Sequence, residues 1–271
     1  MSRARRTPRG AALAAALALV PACGGSSVAD GPARADAATA PPPTVTIAAA
    51  PDGGGVAAGP AEPASLYGVV HFLGFPPERR PVKMAGCGSH DEPTLDDRVL
   101  VQGGRLQNVF VELARGLRGY DPPPPPEEPV RLDQQGCMYS PRVVAVRVGQ
   151  RLEVHNADPL NHNVHLFAQR ASFPNNTQPP GSAPFEFVFE KKEPRAVVVG
   201  CDIHPWMRSN LHVVDHPFFA ITGADGTFLI EGIPPGDYTF TAWHEKYGQQ
   251  SVALELDAGS TARVDFSFQA D

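Results

Sequence analysis

From Tyr67 onward, apolar and polar positions fall into short runs with a period near two. The runs are YGVVHF (67–72), NVFVEL (108–113), VVAVRV (143–148), RLEVHN (151–156), VHLF (164–167), FEFVFE (185–190), RAVVVG (195–200) and NLHVVD (210–215). In FEFVFE, Phe185, Phe187 and Phe189 alternate with Glu186 and Glu190, the signature of a half-buried strand. Gly, Pro, Asn and Asp punctuate the runs, and no stretch carries a helical period. The pattern predicts an all-β chain built as a sandwich or barrel.

A second block begins near His216-Pro217. Asp225-Gly226 stands between two apolar runs, a strong hairpin signal, and Pro234-Pro235-Gly236 marks another turn. SVALELDAG (251–259) and ARVDFSF (262–268) add two alternating strands. With its Ala-Asp-Gly-Thr-Phe and Pro-Pro-Gly-Asp-Tyr turns, this block resembles the carboxypeptidase regulatory-like β-sandwich. A unit of about 55 residues is marginal alone, so it is expected to pack on the domain before it. Two domains are therefore expected, 63–215 and 216–271. The run Pro122 to Pro126 predicts a stiff polyproline loop, read as a solvated insertion rather than a docking element.

The N-terminus follows a different pattern. Arg3, Arg5, Arg6 and Arg9 precede the apolar run Ala11 to Val20, and no acidic residue occurs before Asp30. That is the layout of an export signal (1–23), and the run falls short of the roughly 20 residues a membrane-spanning helix needs. Val20-Pro21-Ala22-Cys23 resembles a bacterial lipobox, which implies a lipid on Cys23 and an exported protein, periplasmic or on the cell surface, anchored to a bacterial membrane. Plain cleavage after Ala22 and an uncleaved anchor are the alternatives. Residues 24–62 are rich in Ala, Pro and Gly and lack aromatics, which predicts a disordered tether. The net charge of −6 argues against nucleic acid as a partner. No Gly-rich phosphate loop, nucleophile elbow or haem-attachment motif occurs. HEKYG at His244 starts like a zinc-protease motif, but Gly248 stands where the second histidine should be, so His244 reads as a strand or turn residue.

Four cysteines remain to be explained: Cys23, Cys87, Cys137 and Cys201. An exported chain is expected to commit its thiols. With Cys23 lipidated and Cys201 on a metal, Cys87 and Cys137 are left. A disulfide between them would close a loop of about 50 residues and contribute about 4 kcal/mol. A second metal site at Cys-Gly-Ser-His (87–90) is the alternative.

The densest chemistry is CDIHPWM, Cys201 to Met207, which offers a thiol, an imidazole and a thioether in seven residues. A blue-copper site needs two imidazoles and a thiolate with a weak thioether, so one further histidine is required. His162 and His165 compete for that place in NADPLNHNVHLF (156–167). Here the sequence resembles the cupredoxins, in which the first ligand is a His followed by Asn. The amicyanin branch reads His-Asn-Val-His-Phe there and Cys-x-x-His-Pro-Phe-Met in the ligand loop. This chain has His162-Asn163-Val164-His165 and Cys201-Asp202-Ile203-His204-Pro205-Trp206-Met207.

The resemblance covers residues 131–215. It implies a Greek-key sandwich and one copper held by His162, Cys201, His204 and Met207, with His165 not a ligand. It further implies that Asn163 ties the two ligand loops together. Pro205, lacking an N–H, would spare the Cys201 sulfur a hydrogen bond and raise the potential. Zinc, the metal rival, prefers Cys and His without a thioether. His71, His155, His212 and His216 read as ordinary surface or core residues.

Four protein ligands leave no open position for substrate, which favours one-electron transfer over catalysis. His204 is expected to be the exposed edge through which electrons pass, with Pro205 and Trp206 as an apolar patch. The resemblance implies a c-type cytochrome, dehydrogenase or oxidase as the redox partner. Copper storage or delivery, and a surface scaffold or adhesion role with a structural metal, are the rival readings.

Overall fold

The computed structural model describes residues 41–48, 61–87 and 92–270. The expected export signal with Cys23, most of the expected tether, and His90 of the alternative metal motif lie outside them. The described residues carry nineteen strands and no helix, in keeping with the all-β pattern.

In chain order, β1 (Thr44–Ala48), β2 (Ala64–Leu73), β3 (Val101–Gln102), β4 (Arg105–Leu106) and β5 (Phe110–Arg115) come first. Next are β6 (Val130–Gln135), β7 (Met138–Ser140), β8 (Val143–Arg147), β9 (Arg151–Asn156), β10 (His162–Phe167), β11 (Asn176–Gln178), β12 (Phe185–Val188), β13 (Val197–Gly200) and β14 (Arg208–Val214). The last are β15 (Phe219–Ile221), β16 (Thr227–Ile233), β17 (Gly236–His244), β18 (Gly248–Leu256) and β19 (Thr261–Gln269).

Strands β6 to β14 form two facing sheets, β11-β10-β13-β14-β8 and β12-β9-β6-β7. Their inward residues, among them Leu132, Val146, Leu152, Val164, Val199 and Leu211, make one core. The remaining strands form a second sandwich. One sheet is β1-β19-β2-β4-β3, with β16 also on β2, and the other is β15-β5-β17-β18. A separate core of Leu66, Phe72, Leu113, Phe240, Val264 and Phe266, among others, lies between them.

This pairing differs from the expected division at 215/216. Strand β2 lies between β19 and β16, and β5 between β15 and β17. Without them the C-terminal strands would present unpaired edges and half a core, so the N-terminal strands belong to that sandwich. The first sandwich is thus inserted into the second. The insertion leaves and rejoins at neighbouring points, where Leu113 N–H donates to the Phe218 carbonyl at 3.0 Å. The stretch 24–62 differs too. Thr44–Ala48, inside the expected tether, forms a strand because the free edge of β19 accepts its ladder. The proline run leads into the insertion, and the Pro123 and Pro124 carbonyls accept from the Arg147 guanidinium at 2.6 and 3.1 Å. A polyproline strand has such carbonyls free.

Three kinds of contact join the sandwiches. Phe110, Val143, Ala145 and Val214 pack in a small apolar seam with Phe219, Ile221 and Trp243. Buried Arg142 makes two bonds to Glu245, at 2.7 and 2.6 Å, and one to Asp97 at 2.9 Å. A disulfide joins Cys87, on the β2–β3 connection, to Cys137, in the β6–β7 turn.

Candidate metal centre

His162 opens β10, and Cys201 follows the last residue of β13, the strand that pairs with β10. Antiparallel pairing therefore brings the 162 end of one strand to the 201 end of the other. His162 points to the core side with Val164 and Leu166. His165 falls on the other face, stacks on Phe167 and meets the Asp202 carboxylate at 3.2 Å. The loop from Cys201 closes on itself: Met207 N–H donates to the His204 carbonyl at 2.9 Å, and Cys201 N–H to the Met207 carbonyl at 3.4 Å. Met207 is fully buried in the core that also holds Cys201.

The structure brings His162, Cys201 and His204 together, with one ligand atom of each within 4.8 Å of the other two. The two imidazole Nδ1 atoms are 2.9 Å apart, and Cys201 Sγ is 3.7 Å from His204 Nδ1. His162 Nε2 lies 2.9 Å from Asp158 Oδ2. A carboxylate only accepts, so Nε2 carries a proton, and whenever His162 is neutral its lone pair is at Nδ1. The Asp158 carboxylate also receives Gly136 N–H at 2.6 Å and Cys137 N–H at 2.8 Å.

Burial raises the Cys201 thiol, but hydrogen bonding from His162 and from the N–H groups of Asn163, His204 and Ile203 outweighs it and lowers the pKa. Burial lowers His162, yet Cys201 and Asp158 carry it above its ordinary value. His204 is lowered, first by burial and then by the charge of His162. The pocket therefore favours a Cys201 thiolate, with His162 holding a second proton more readily than a free imidazole and His204 less readily.

Asn163 Oδ1 accepts from Asp202 N–H at 2.7 Å and Ile203 N–H at 3.3 Å, while its own N–H reaches Cys201 Sγ at 3.4 Å. Pro205 is exposed at the loop's tip. His204 departs from expectation: it is 5% exposed. The Cys87–Cys137 disulfide and Trp206 crowd it, the latter with ring centroids 5.3 Å away. Among the other histidines, His244 ends β17, and its Nδ1 accepts the Lys246 N–H.

Two residues of the site, Asp158 and Tyr139, have no assignment in the sequence pattern. Asp158 is four positions before His162, in a stretch that reads as a turn. Tyr139, fully buried, donates from its hydroxyl to the Asn163 carbonyl at 3.0 Å and the Gly200 carbonyl at 3.3 Å. It thereby clamps the two ligand-bearing strand ends, and burial pushes its hydroxyl pKa up strongly. Only the i−4 spacing of Asp158 offered a signal.

The converging donors are one thiol and two imidazoles, side chains that commonly ligate metal ions, and Met207 is buried in the same core.

A family model for the carboxypeptidase regulatory-like domain matches residues 210–269. No curated protein matches the chain. Among solved structures, the chain is similar to an oxidised amicyanin variant at 23% identity, over 31% of this chain and 81% of that one, with a TM-score of 0.28. It is similar to a purple cupredoxin from Nitrosopumilus maritimus at 22% identity, over 31% of this chain and 98% of that one, with a TM-score of 0.27. It is also similar to a copper-containing nitrite reductase from Thermus scotoductus SA-01 at 21% identity, over 32% of this chain, with a TM-score of 0.28. The match spans only 23% of the reductase chain.

Proposed function

We propose that the chain binds one copper through His162, Cys201 and His204, with Met207 as a weak fourth donor, and acts as a one-electron carrier rather than an enzyme. The observation that carries this reading is the convergence of Cys201 Sγ and two imidazole Nδ1 atoms in a buried space, with the His162 tautomer held by Asp158. Bound copper supplies a one-electron couple there. The chain's own residues do the rest. Asn163 and Tyr139 hold the two loops at fixed separation, so the donors need little movement between oxidation states. The surrounding core, including Trp206, keeps water away.

Because His204 is buried, the proposed docking face is the apolar part of the ligand loop, Ile203 (50% exposed) and Pro205. A c-type cytochrome, dehydrogenase or oxidase is the proposed partner class. Export and a lipid on Cys23 belong to the same proposal. The mass of the N-terminal peptide recovered from membranes tests that part, and an unmodified Cys23 would refute it.

The central test is the spectrum and voltammetry of the Cu(II)-loaded protein. An intense visible thiolate-to-copper band, a reversible wave, and loss of the band in Cys201→Ser are expected. A colourless, redox-silent complex would exclude the reading.

A further inference from the structure

The disulfide beside His204 has so far been described only as a tie between the sandwiches. Cys87 Sγ, Cys137 Sγ and a ring nitrogen of His204 lie within 4.8 Å of one another, and all three residues are buried. We propose that Cys87 and Cys137, once their disulfide is reduced, form a second metal site with the His204 ring nitrogen that the Cys201 site leaves free, and that this site takes one Cu(I).

The site would persist after the bond opens because each cysteine is held by other contacts. Cys137 N–H is fixed to Asp158 at 2.8 Å, and its carbonyl accepts Trp206 Nε1–H at 3.0 Å. Cys87 lies on a connection whose two arms pair: Val82 N–H donates to the Thr94 carbonyl, Asp96 N–H to the Arg80 carbonyl, and Pro81 bridges Leu95. Asp158 is already committed to two backbone N–H groups and His162, so it is not free to complete a tetrahedral set. Two thiolates and one imidazole then make a soft, low-coordinate set, which suits Cu(I) better than the four-coordinate zinc site.

Opening the site is a thiol–disulfide exchange. A dithiol gives two electrons and two protons to Cys87–Cys137 and leaves as its own disulfide. Cu(I) then binds without change of oxidation state, and the two thiol protons go to solvent.

The experiment counts Cu(I) under anaerobic conditions, by competition with a chromophoric chelator and by native mass spectrometry. The protein is compared before and after treatment with dithiothreitol and removal of the reagent. Reduction is expected to add one Cu(I) per chain, whatever number the oxidised protein holds. In Cys201→Ala the oxidised form should bind none and the reduced form one, and adding Cys137→Ser should abolish it. His204→Ala in the Cys201→Ala background should weaken the reduced site about tenfold or more. Equal Cu(I) counts in oxidised and reduced wild-type protein would overturn the proposal. That count needs no variant to fold. Failure of the Cys201 site alone would appear instead as zero copper in the oxidised wild type.

Discussion

At the scale of single residues, partners decide protonation, and protonation decides what a histidine can do. Asp158 holds a proton of His162 on Nε2, which leaves the Nδ1 of the neutral ring facing His204, and together with Cys201 it raises the His162 pKa. Three other histidines have been pushed the opposite way. Burial lowers His212 to about 3, and His216 and His244 to about 4. In the unfolded chain they titrate near 6.5. As pH falls below that value the unfolded state takes up protons that the native state refuses, so stability is full above about 6.5. Each histidine then removes about 1.4 kcal/mol per pH unit down to its folded pKa. His212 stacks on Phe110 at 3.8 Å, and its Nε2 has no hydrogen-bond partner among the described residues. In His212→Phe, urea unfolding between pH 6.5 and 4 should show a slope smaller by about 1.4 kcal/mol per pH unit, with stability at pH 7 kept. An unchanged slope would show that His212 is not held neutral.

At the scale of elements, close backbone approach is the controlling constraint. Gly68, in β2, lies against β19, where an added Cβ would sit 1.7 Å from the Val264 carbonyl oxygen. That atom is backbone in a paired strand and cannot turn aside, so overpacking here must part the β2–β19 ladder. Gly68→Ala is expected to cost at least about 3 kcal/mol in chemical denaturation. A cost below about 1 kcal/mol would mean that β2 is not a central strand of that sheet. The ligand strands follow the same logic by different means. The β10–β13 ladder sets His162 near Cys201, and the Tyr139 hydroxyl bonds both strand ends.

At the scale of the whole molecule, one sandwich interrupts the other. The family match at 210–269 begins in β14 of the inserted sandwich and otherwise covers the C-terminal part of the outer one, whose central strands β2 and β5 come from far upstream. A fragment of residues 216–271 should therefore show no cooperative unfolding and a featureless near-ultraviolet circular dichroism spectrum. Residues 61–116 joined to 217–271 by a short Gly-Ser linker should recover a cooperative transition, because the junction ends already meet at Leu113 and Phe218. Cooperative folding of the short fragment alone would contradict this assignment. The disulfide adds a covalent tie between the sandwiches, worth about 4 kcal/mol for its separation on the chain-entropy model.

The sequence alone determined what is local. Period-two runs marked strands such as FEFVFE, and Asp-Gly and Pro-Gly marked turns. The loop Cys201–Met207 put three soft donors in one turn, because ligand chemistry and strand alternation are written in neighbouring residues. Tertiary structure decided what depends on distant partners. Strand pairing across more than a hundred residues moved β2 and β5 into the C-terminal sandwich, since any apolar strand edge could in principle have accepted them. It also buried His204 beside the disulfide and turned Asp158 from a loop residue into the partner of His162. Those outcomes are set by which chain segments arrive at the same place, and no window along the sequence contains both.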